Sequence, residues 1–503
     1  MRINIGLLGQ ESGVKFGTSG ARGLAVKMTD LVCYAYTRSF IGYLEKSGDL
    51  KRGSEEPIAI GGDLRESTPR ILGAVLRAIS DAGYKAVYCG TLPTPALFYY
   101  GFENGMPSVM VTGSHIPFDR NGIKYHKKAG EILKTDEAKM KESEIEIDEN
   151  IFDSAGNLKS RPAFPESVEK EAITLFSGRY TGFFAGDILR GMKIVLYEHS
   201  AVGRDMLAGV LKALGAEVLP VGRSASFIPL DTEAVSEENL RFFRKLAKDH
   251  GADAIVSTDG DSDRPLVCDE RGEFVRGDVL GILVAKFLGA KAVATTASAN
   301  SALEESGFFK HVSRTKIGSP YVVAEMMELG EKFDRVVGYE SNGGFLLQTA
   351  FRSGTKTLNP LPSRDSFLPI LCALSEANLS GKRLSALVAG LPARFTFSER
   401  IENTSTEKSA YFIKNRFETG DASKDVGNAE ELFGKLSGDV GRLEKIDGVR
   451  IIFKNKEVVH IRPSGNAPEL RVYSEAGKAE RAEDICKKAL KIISEKIRTE
   501  DES

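Results

Sequence analysis

The sequence predicts an α/β protein in which three α/β units of similar layout precede a smaller α+β domain. Short apolar runs of strand length alternate with longer amphipathic runs of helical length, which is typical of strand–helix–strand units. This alternation begins again twice along the chain, as a repeat of architecture more than of sequence. The last part differs, because strand-like runs dominate it until a final amphipathic helix. The predicted domains are residues 1–160, 161–275, 276–392 and 393–503.

The first unit contains three predicted strands and two predicted helices. One helix, at 67–84, begins with Ser67 or Thr68 as its cap and has Pro69 in its first turn, as helix N-termini commonly do. The run 135–150, rich in acidic and basic residues, predicts a solvated helix near a domain boundary. The other elements are the strands PIAIGGD (57–63), KAVYCG (85–90) and PSVMVTG (107–113) and the helix TPALFYYGF (94–102).

The later units follow the same reasoning, and the patterns predict these elements in order. The second unit has strands at 193–200, 217–222 and 254–261 and helices at 202–216 and 236–252. The third opens at 277–296 with a helix and then a strand. The fourth has strand-like runs at 399–405, 448–464 and 469–476 and a helix at 479–503.

Composition excludes several classes of protein. A formal net charge of −2 offers no electrostatic reason to expect nucleic acid or an acidic membrane as a partner. The five cysteines are scattered and form no CxxC pair, which argues against a disulfide framework and a cysteine zinc site. The first residues lack the apolar segment of a signal peptide, and no apolar run reaches the ~20 residues that cross a bilayer. We therefore expect a cytoplasmic protein.

A serine in the segment TGSHIPFDRNGIK follows the third predicted strand. Ser114 lies in a glycine-containing turn beside His115, and Lys124 follows ten residues later. A serine needs a base, a metal or a pre-attached group to act as a nucleophile. The alternative is a capping turn with a surface lysine after it, and this segment alone does not decide between them.

An acidic loop, STDGDSDRP, follows the apolar strand at 254–261. Asp259, Asp261 and Asp263 alternate with small residues, and three carboxylates so close together need a compensating cation. Oxygen ligands without nearby His or Cys favour Mg²⁺ over zinc. The glutamate of a calcium-binding EF-hand loop is missing, and the remaining alternative is an acidic surface turn. Arg264 could hold one carboxylate in place or bind a phosphate.

Two further segments suggest ligand binding. In GYESNGGF, Glu340 lies among glycines that permit close approach of a ligand, and its carboxylate suits sugar hydroxyls. In RPSGNAPELRVY, two arginines, a hydroxyl and turn amides suit a phosphate. A structural glutamate and a pair of surface arginines are the alternatives. Together the four segments would provide a nucleophile, a site for a divalent cation, a group that binds hydroxyls and a separate phosphate-binding site.

At this point the sequence resembles the α-D-phosphohexomutase family, the phosphomannomutase and phosphoglucomutase enzymes. The segments appear in family order over almost the whole chain, and they include KFGTSGARG (15–23), which is similar to the family's N-terminal signature. The resemblance implies three similar α/β mixed-sheet domains and a smaller α+β C-terminal domain around a central cleft. It also implies reversible conversion of hexose 6-phosphate to hexose 1-phosphate through a phosphoserine and a bound 1,6-bisphosphate.

The resemblance assigns roles to individual residues. Ser114 would carry the phosphate, and one Mg²⁺ per chain would be held by that group with Asp259, Asp261 and Asp263. Arg22 and Arg264 would grip the phosphoryl group, with Lys124 in acid–base work and His115 as a second candidate. The residues expected to bind the sugar are Glu340, Asn342 and Ser341, and those expected to bind the other phosphate are Arg462, Ser464, Gly465, Asn466 and Arg471.

The chain departs from the family pattern at a few positions. Ser262 replaces a glycine of the metal loop, and Ile116 replaces an asparagine beside the nucleophile. The phosphate loop has Asn466-Ala467 where Thr-Glu is common. In the sugar loop either Asn342 or Ser341 matches the family's serine.

We expect a carbohydrate-metabolism enzyme that acts on mannose and also on glucose phosphates, with a hexose 1,6-bisphosphate as activator. We expect a monomer or a homodimer. The alternatives are a phosphoglucosamine mutase, a metal-dependent sugar-phosphate phosphatase and a non-catalytic sugar-phosphate-binding protein.

Overall fold

The computed structural model describes residues 1–17, 20–464 and 469–501, and for 498–501 it describes the backbone alone. The chain forms two compact units. The first unit contains residues 1–293 and 318–388, and the second contains residues 294–317 and 389–503.

A mixed sheet forms the centre of the first domain, in the order β2-β3-β7-β6-β4-β5 with β8 beside β7. Strand β4 is parallel to β5 and β6, whereas β7 is antiparallel to β6, β3 and β8. The strands of this domain are β1 (Arg2–Asn4), β2 (Lys15–Phe16), β3 (Ala21–Leu24), β4 (Pro57–Gly62), β5 (Lys85–Thr91), β6 (Ser108–Val111), β7 (Arg120–Lys127), β8 (Gly130–Glu131) and β9 (Glu144–Glu146). Strands β1 and β9 pair in a separate two-stranded sheet. The helices are α1 (Ile5–Ser12), α2 (Asp30–Ser47), α3 (Thr68–Asp81), α4 (Thr94–Glu103) and α5 (Lys134–Lys141), with a 3₁₀ turn at Glu149–Ile151.

The second domain has a five-stranded mixed sheet in the order β11-β10-β12-β13-β14. Its first three strands are parallel, and β13 and β14 continue antiparallel. The elements are α6 (Glu169–Phe183), β10 (Lys193–Tyr197), α7 (Arg204–Ala213), β11 (Glu217–Val221), α8 (Glu237–His250), β12 (Ala254–Thr258), β13 (Pro265–Cys268) and β14 (Phe274–Val275).

The third segment again combines strands with covering helices. Within it β18 pairs antiparallel with β17 and with β21. The elements are α9 (Gly277–Leu288), β15 (Ala292–Thr296), α10 (Ala302–Glu305), β16 (His311–Thr315), α11 (Ser319–Gly330), β17 (Val336–Tyr339), β18 (Phe345–Leu347), β19 (Phe351–Ser353), β20 (Lys356–Leu358), β21 (Leu361–Asp365), α12 (Phe367–Ser380) and α13 (Leu384–Ala389).

The fourth segment is an antiparallel sheet in the order β22-β26-β25-β24-β23, with helices that supply the rest of its core. The elements are β22 (Phe395–Ile401), α14 (Thr406–Phe417), α15 (Ala422–Ser437), β23 (Val440–Glu444), β24 (Val449–Phe453), β25 (Val458–Pro463), β26 (Leu470–Ala476) and α16 (Ala479–Asp501). The predicted class, three α/β domains with mixed sheets and a smaller α+β domain, is confirmed.

The prediction for residues 135–150 is partly wrong. The helix ends at Lys141, and Glu144–Glu146 forms a strand that pairs with β1. Nor is that helix solvated on every side, because Asp136 is buried and accepts hydrogen bonds from Tyr43 Oη at 2.5 Å and Lys127 Nζ at 2.7 Å. The burial of Asp136 cannot be predicted from a charged sequence pattern, because a buried carboxylate is stable only when tertiary contacts supply its hydrogen-bond partners.

The expectation for the cysteines is confirmed, whereas several helices were not expected from the sequence. The five cysteines are free, buried thiols. The helices α14 and α15 were not predicted, because no apolar run of the sequence singled out that region. Among the described residues, no helix is both long and apolar enough to cross a membrane.

An aromatic cluster joins helices of the first three segments within the first unit. Phe176 of α6 contacts Tyr99 of α4, Tyr180 and Phe367 of α12, with ring centroids 5.1–6.1 Å apart. Phe176 and Phe367 are completely buried. Because close-packed aromatic rings contribute both buried area and edge-to-face contacts, this cluster fixes α6 against its neighbours.

We predict that Phe176→Ala lowers the free energy of unfolding by about 3–5 kcal/mol, since it leaves a cavity in a packed core. Denaturant unfolding followed by circular dichroism measures this loss. Phe118→Ala is the control, because that ring is 74% exposed and its removal should change the stability by less than about 0.5 kcal/mol. Equal losses in the two variants would contradict the packing described here.

Candidate active site

Ser114 follows β6, a buried strand with β7 on one side and β4 on the other. Its hydroxyl donates a hydrogen bond to Asp259 Oδ2 at 2.5 Å, and its backbone N–H donates to Thr112 Oγ1 at 2.8 Å. Ser114 has a φ of 52°, in the left-handed region that costs a residue other than glycine roughly 1–2 kcal/mol. Such conformations persist where the surrounding structure enforces them and are concentrated at functional sites.

Arg65 enforces the shape of the serine loop. Its guanidinium is buried and donates to the carbonyl oxygens of Ser114 (3.0 Å), Ile116 (2.6 Å), Pro117 (2.7 Å) and Arg120 (2.8 Å). Pro117 O also accepts from Arg120 N–H at 3.2 Å, but only the arginine ties all four carbonyl groups to one side chain, so it defines the path of the loop.

The environment of Arg65 explains why the loop is so closely held. Asp63 Oδ2 lies 3.3 Å from Arg65 Nε and also accepts a hydrogen bond from Thr112 Oγ1 at 2.8 Å. The guanidinium lies over the ring of Phe227, 3.9 Å from its centroid, and a Cβ on Gly113 would meet it at 2.4 Å. Sequence reasoning missed Asp63 and Arg65, although an acidic residue directly after the buried strand β4 was a usable signal.

The acidic loop follows β12, which is parallel to β10, just as β6 is parallel to β4. Carboxylate oxygens of Asp259, Asp261 and Asp263 lie within 4.8 Å of one another, and all three side chains are buried. The ammonium group of Lys124, on β7, contacts Asp261 Oδ2 at 2.6 Å and Asp263 Oδ2 at 2.5 Å. The alternatives of a surface turn and a surface lysine are therefore wrong.

The three aspartates differ in their electrostatics. Burial, followed by repulsion from Asp261 and Asp263, raises the pKa of Asp259 well above its ordinary value. Burial also acts to raise the pKa of Asp261 and Asp263, but their cationic neighbours outweigh it and lower both values. Lys124 dominates at Asp261, and Arg364 with Lys124 dominates at Asp263.

The triad fits a hard divalent cation. Asp261 Oδ1 and Asp263 Oδ1 are buried and have no hydrogen-bond partner among the described residues. Three clustered carboxylates without histidine or cysteine form the oxygen-rich set that Mg²⁺ prefers. Asp259 Oδ1 instead accepts from the backbone N–H groups of Asp263 and Arg264, both at 3.1 Å, which fixes the loop.

Two arginines lie near this cluster with unused donors. Arg22 Nη2 and Arg264 Nε are buried and have no hydrogen-bond partner in the described part of the chain. Burial and the positive charges of Arg264 and Arg364 lower the pKa of Arg22 to about 10. Both arginines also lower the pKa of His115, the neighbour of Ser114, and unpaired guanidinium N–H groups in this position are suited to a phosphoryl group.

His115 Nδ1 lies 3.3 Å from Ser114 Oγ. Burial, then Arg264 and Arg22, lower the pKa of His115 far below its ordinary value, so the imidazole stays neutral. A neutral imidazole next to a hydroxyl can exchange a proton with it.

Glu340 follows β17 in the turn that leads to β18. It is buried, and burial raises the pKa of its carboxyl group. Its Oε1 accepts a hydrogen bond from Arg364 Nη1 at 3.4 Å, and Arg364 Nε lies 3.1 Å from Asp263 Oδ2. Asn342 Oδ1 accepts from the N–H of Gly344 at 2.9 Å, so this side chain stabilises the turn. Sequence reasoning missed Arg364, which joins this loop to the acidic loop.

The fourth domain places the predicted arginines side by side. Arg462 on β25 and Arg471 on β26 are paired in register, and Ser464 N–H donates to Glu469 O at 2.8 Å. Arg462 Nε lies 3.4 Å from Asp447 Oδ2. Arg471 Nη2 lies 3.4 Å from Glu469 Oε2, so each arginine contacts a carboxylate, and the pair on one sheet could also bind an anion. Gly465 and Asn466, also predicted for this loop, lie outside the described residues.

The departure at Ser262 has a structural account, whereas nothing in the structure explains the isoleucine side chain at position 116. Ser262 has a φ of 56°, where glycine would be easier, and its hydroxyl accepts from Gly203 N–H at 2.9 Å and from Thr258 Oγ1 at 2.8 Å. Those bonds offset the strain. At Ile116 the backbone carbonyl, bonded to Arg65, fixes the loop.

Comparison with known proteins follows the four-domain division. Phosphoglucomutase/phosphomannomutase family models match alpha/beta/alpha domain I at 13–151, domain II at 185–272, domain III at 276–395 and the C-terminal domain at 413–492. A phosphomannomutase of Salmonella muenchen is 40% identical over 488 residues, which is 97% of each chain. The chain belongs to the phosphoglucomutase/phosphomannomutase family.

Other members of the phosphoglucomutase/phosphomannomutase family are similar to this chain in sequence or in fold. A phosphomannomutase of Sinorhizobium fredii (strain NBRC 101917 / NGR234) is 40% identical, covering 96% of this chain and 99% of that protein. The crystal structure of a phosphoglucomutase/phosphomannomutase family protein from Burkholderia thailandensis superposes with a TM-score of 0.71. It is 19% identical and covers 94% of this chain and 96% of its own, so it bears on the fold alone.

We predict that Arg65→Lys destabilises the protein by about 2–4 kcal/mol, because a lysine cannot reach four carbonyl groups and leaves several unpaired. Turnover should fall at least about tenfold, since a looser loop misplaces Ser114. Thermal unfolding and steady-state kinetics measure the two effects.

The control for this prediction is Arg77→Lys in α3, whose guanidinium pairs with Asp81 Oδ1 at 2.9 Å near the surface. That change should cost less than about 1 kcal/mol. An Arg65→Lys protein with ordinary stability and turnover would show that the loop does not depend on the arginine.

Proposed function

We propose that the protein is a phosphohexomutase that interconverts hexose 6-phosphate and hexose 1-phosphate through a phosphoserine at Ser114. The observation that carries this proposal is the contact between Ser114 Oγ and Asp259 Oδ2 at 2.5 Å, at the edge of the aspartate cluster. Family membership supports the reaction class, an intramolecular transfer of a phosphoryl group.

The site supports an in-line transfer in which little covalent work falls to the protein. As the phosphorus–oxygen bond to Ser114 breaks, a sugar hydroxyl oxygen bonds to the phosphorus and releases its proton to a base. Ser114 Oγ regains a proton when the transfer is complete. Lys124 is the proposed acid–base group, and His115, 3.3 Å from Ser114 Oγ, is the second candidate.

The cationic groups have complementary roles in this proposal. The unpaired N–H groups of Arg22 and Arg264 would stabilise the charge on the transferring phosphoryl group. Asp259, Asp261 and Asp263, with an oxygen of the Ser114 phosphate, would hold Mg²⁺, which supplies further charge neutralisation when bound. One ion per chain is the proposed stoichiometry.

The bisphosphate intermediate must turn end for end, because its second phosphate returns to Ser114. Arg462, Ser464 and Arg471 would bind whichever phosphate is not reacting, and Gly465 and Asn466 complete the proposed set. A hexose 1,6-bisphosphate would activate the enzyme by phosphorylating Ser114.

The proposed sugar is mannose, with glucose as a second substrate. Two phosphomannomutases that are 40% identical over nearly the full chain support this order. Glu340 and Ser341 would contact the sugar hydroxyls, since Asn342 uses its side-chain oxygen within the turn. A phosphoglucosamine mutase is the second candidate, and a metal-dependent phosphatase is less favoured because the serine is intact.

We predict isomerisation of mannose 1-phosphate and glucose 1-phosphate in the presence of Mg²⁺ and a trace of the bisphosphate. Ser114→Ala should lower the rate by more than about 1,000-fold, because the group that carries the phosphate is lost. Coupled assays in parallel give the ratio of kcat/KM for the two sugars, and EDTA should abolish turnover until Mg²⁺ is added back.

Ser54→Ala, an exposed serine of the same domain, should leave the rate unchanged. Release of inorganic phosphate without isomer would identify a phosphatase instead. Turnover of glucosamine phosphate alone would identify the second candidate, and full activity of Ser114→Ala would exclude the phosphoserine mechanism.

A further inference from the structure

Arg364 lies at the end of β21 and is buried between two loops that approach it from different domains. Its Nε is 3.1 Å from Asp263 Oδ2 in the acidic loop, and its Nη1 is 3.4 Å from Glu340 Oε1 in the sugar loop. Its side chain is only 3% exposed. One guanidinium therefore neutralises a carboxylate of each loop.

The packing around Arg364 leaves the sugar loop little freedom. A Cβ on Gly344 would lie 2.7 Å from Arg364 Cδ, so the arginine occupies the space that a side chain at that position would need. A Cβ on Gly277 would lie 2.2 Å from Gly343 N, and one on Gly343 would lie 2.9 Å from Pro265. The sugar loop is thus held between the start of α9, the residue after Arg264 and the stem of Arg364.

Several buried carboxylates surround the guanidinium of Arg364. Asp263 and Glu340 outweigh the effect of burial and raise the pKa of the arginine, which keeps it fully charged. Without the guanidinium, two buried carboxylates would face each other across the gap between the loops. Loss of one partner of a buried ion pair is costly because the remaining charge is uncompensated.

We propose that Arg364 is a positioning residue that couples sugar binding at Glu340 to metal binding at Asp263. The inference rests on the proposed function for the identity of the ligands. A single buried guanidinium in contact with a carboxylate of each loop makes the position of one carboxylate depend on the other. Binding of the sugar phosphate and of Mg²⁺ should therefore favour each other, with the same factor in both directions.

The test compares Arg364→Met and Arg364→Lys with the unchanged protein. We expect Arg364→Met to raise KM for the sugar phosphate about tenfold in steady-state kinetics. The same change should weaken Mg²⁺ binding about fivefold, as measured by titration calorimetry in the absence of sugar phosphate. Arg364→Lys should recover Mg²⁺ affinity, since a point charge can pair with Asp263, but not KM, since it cannot reach both carboxylates. Arg352→Met, an exposed arginine of β19, is the matched control and should change neither quantity.

A double-mutant cycle separates coupling from general damage. If Arg364 acts through Glu340, KM of the Arg364→Met/Glu340→Gln protein should be close to that of the worse single variant. Additive losses, or an unchanged Mg²⁺ affinity in a folded Arg364→Met protein, would overturn the inference. Should that variant not fold, Gly344→Ala displaces the arginine without removing it and should produce the same two effects.

Failure of the proposed function is distinguishable from failure of this inference. If the unchanged protein has no mutase activity, the proposed function is wrong. Calorimetry with Mg²⁺ alone would still test the link between Arg364 and Asp263. If the protein is an active mutase and Arg364→Met leaves its Mg²⁺ affinity unchanged, only the inference about Arg364 is wrong.

Discussion

Everything at the site depends on one electrostatic constraint, the burial of three aspartates within 4.8 Å of one another. Taking a charge out of water costs several kcal/mol even after relaxation, and like charges at this distance add to the cost. The fold meets the constraint with cations from separate elements, Lys124 on β7, Arg264 beside the acidic loop and Arg364 on β21. The same positive charges that make the aspartates tolerable also prepare the site for a phosphorylated ligand.

The direction of the parallel strands determines where Ser114 and the aspartates lie. Ser114 and the aspartates both follow the carboxyl ends of strands that run parallel within their sheets, where open α/β folds bind ligands. Strand direction alone does not set a hydroxyl 2.5 Å from a carboxylate, however. That precision comes from Arg65, which replaces flexible loop hydrogen bonds to water with fixed internal ones.

Local patterns in the sequence predict the fold class, the strands and helices that lead to the serine and acidic loops, and the residues whose chemistry is compact in the chain, such as Ser114 and the aspartate triplet. Arg65 and Arg364 could not be predicted in this way, because their partners are distant in sequence and an isolated arginine resembles any surface arginine. The segment 135–150 was misjudged for the same reason, since Asp136 is buried by Tyr43 and Lys127. The domain boundaries and the oligomeric state stay predictions.

The left-handed backbone at Ser114 also limits which amino acid could serve as the proposed phosphate carrier. A second substituent on Cβ makes this region of conformational space much less accessible, so a β-branched residue is a genuine outlier there. Threonine has the same hydroxyl but is β-branched, so this backbone conformation strongly disfavours it. The way the chain leaves β6 therefore favours serine over threonine at this position, whatever the reactivity of the two hydroxyls.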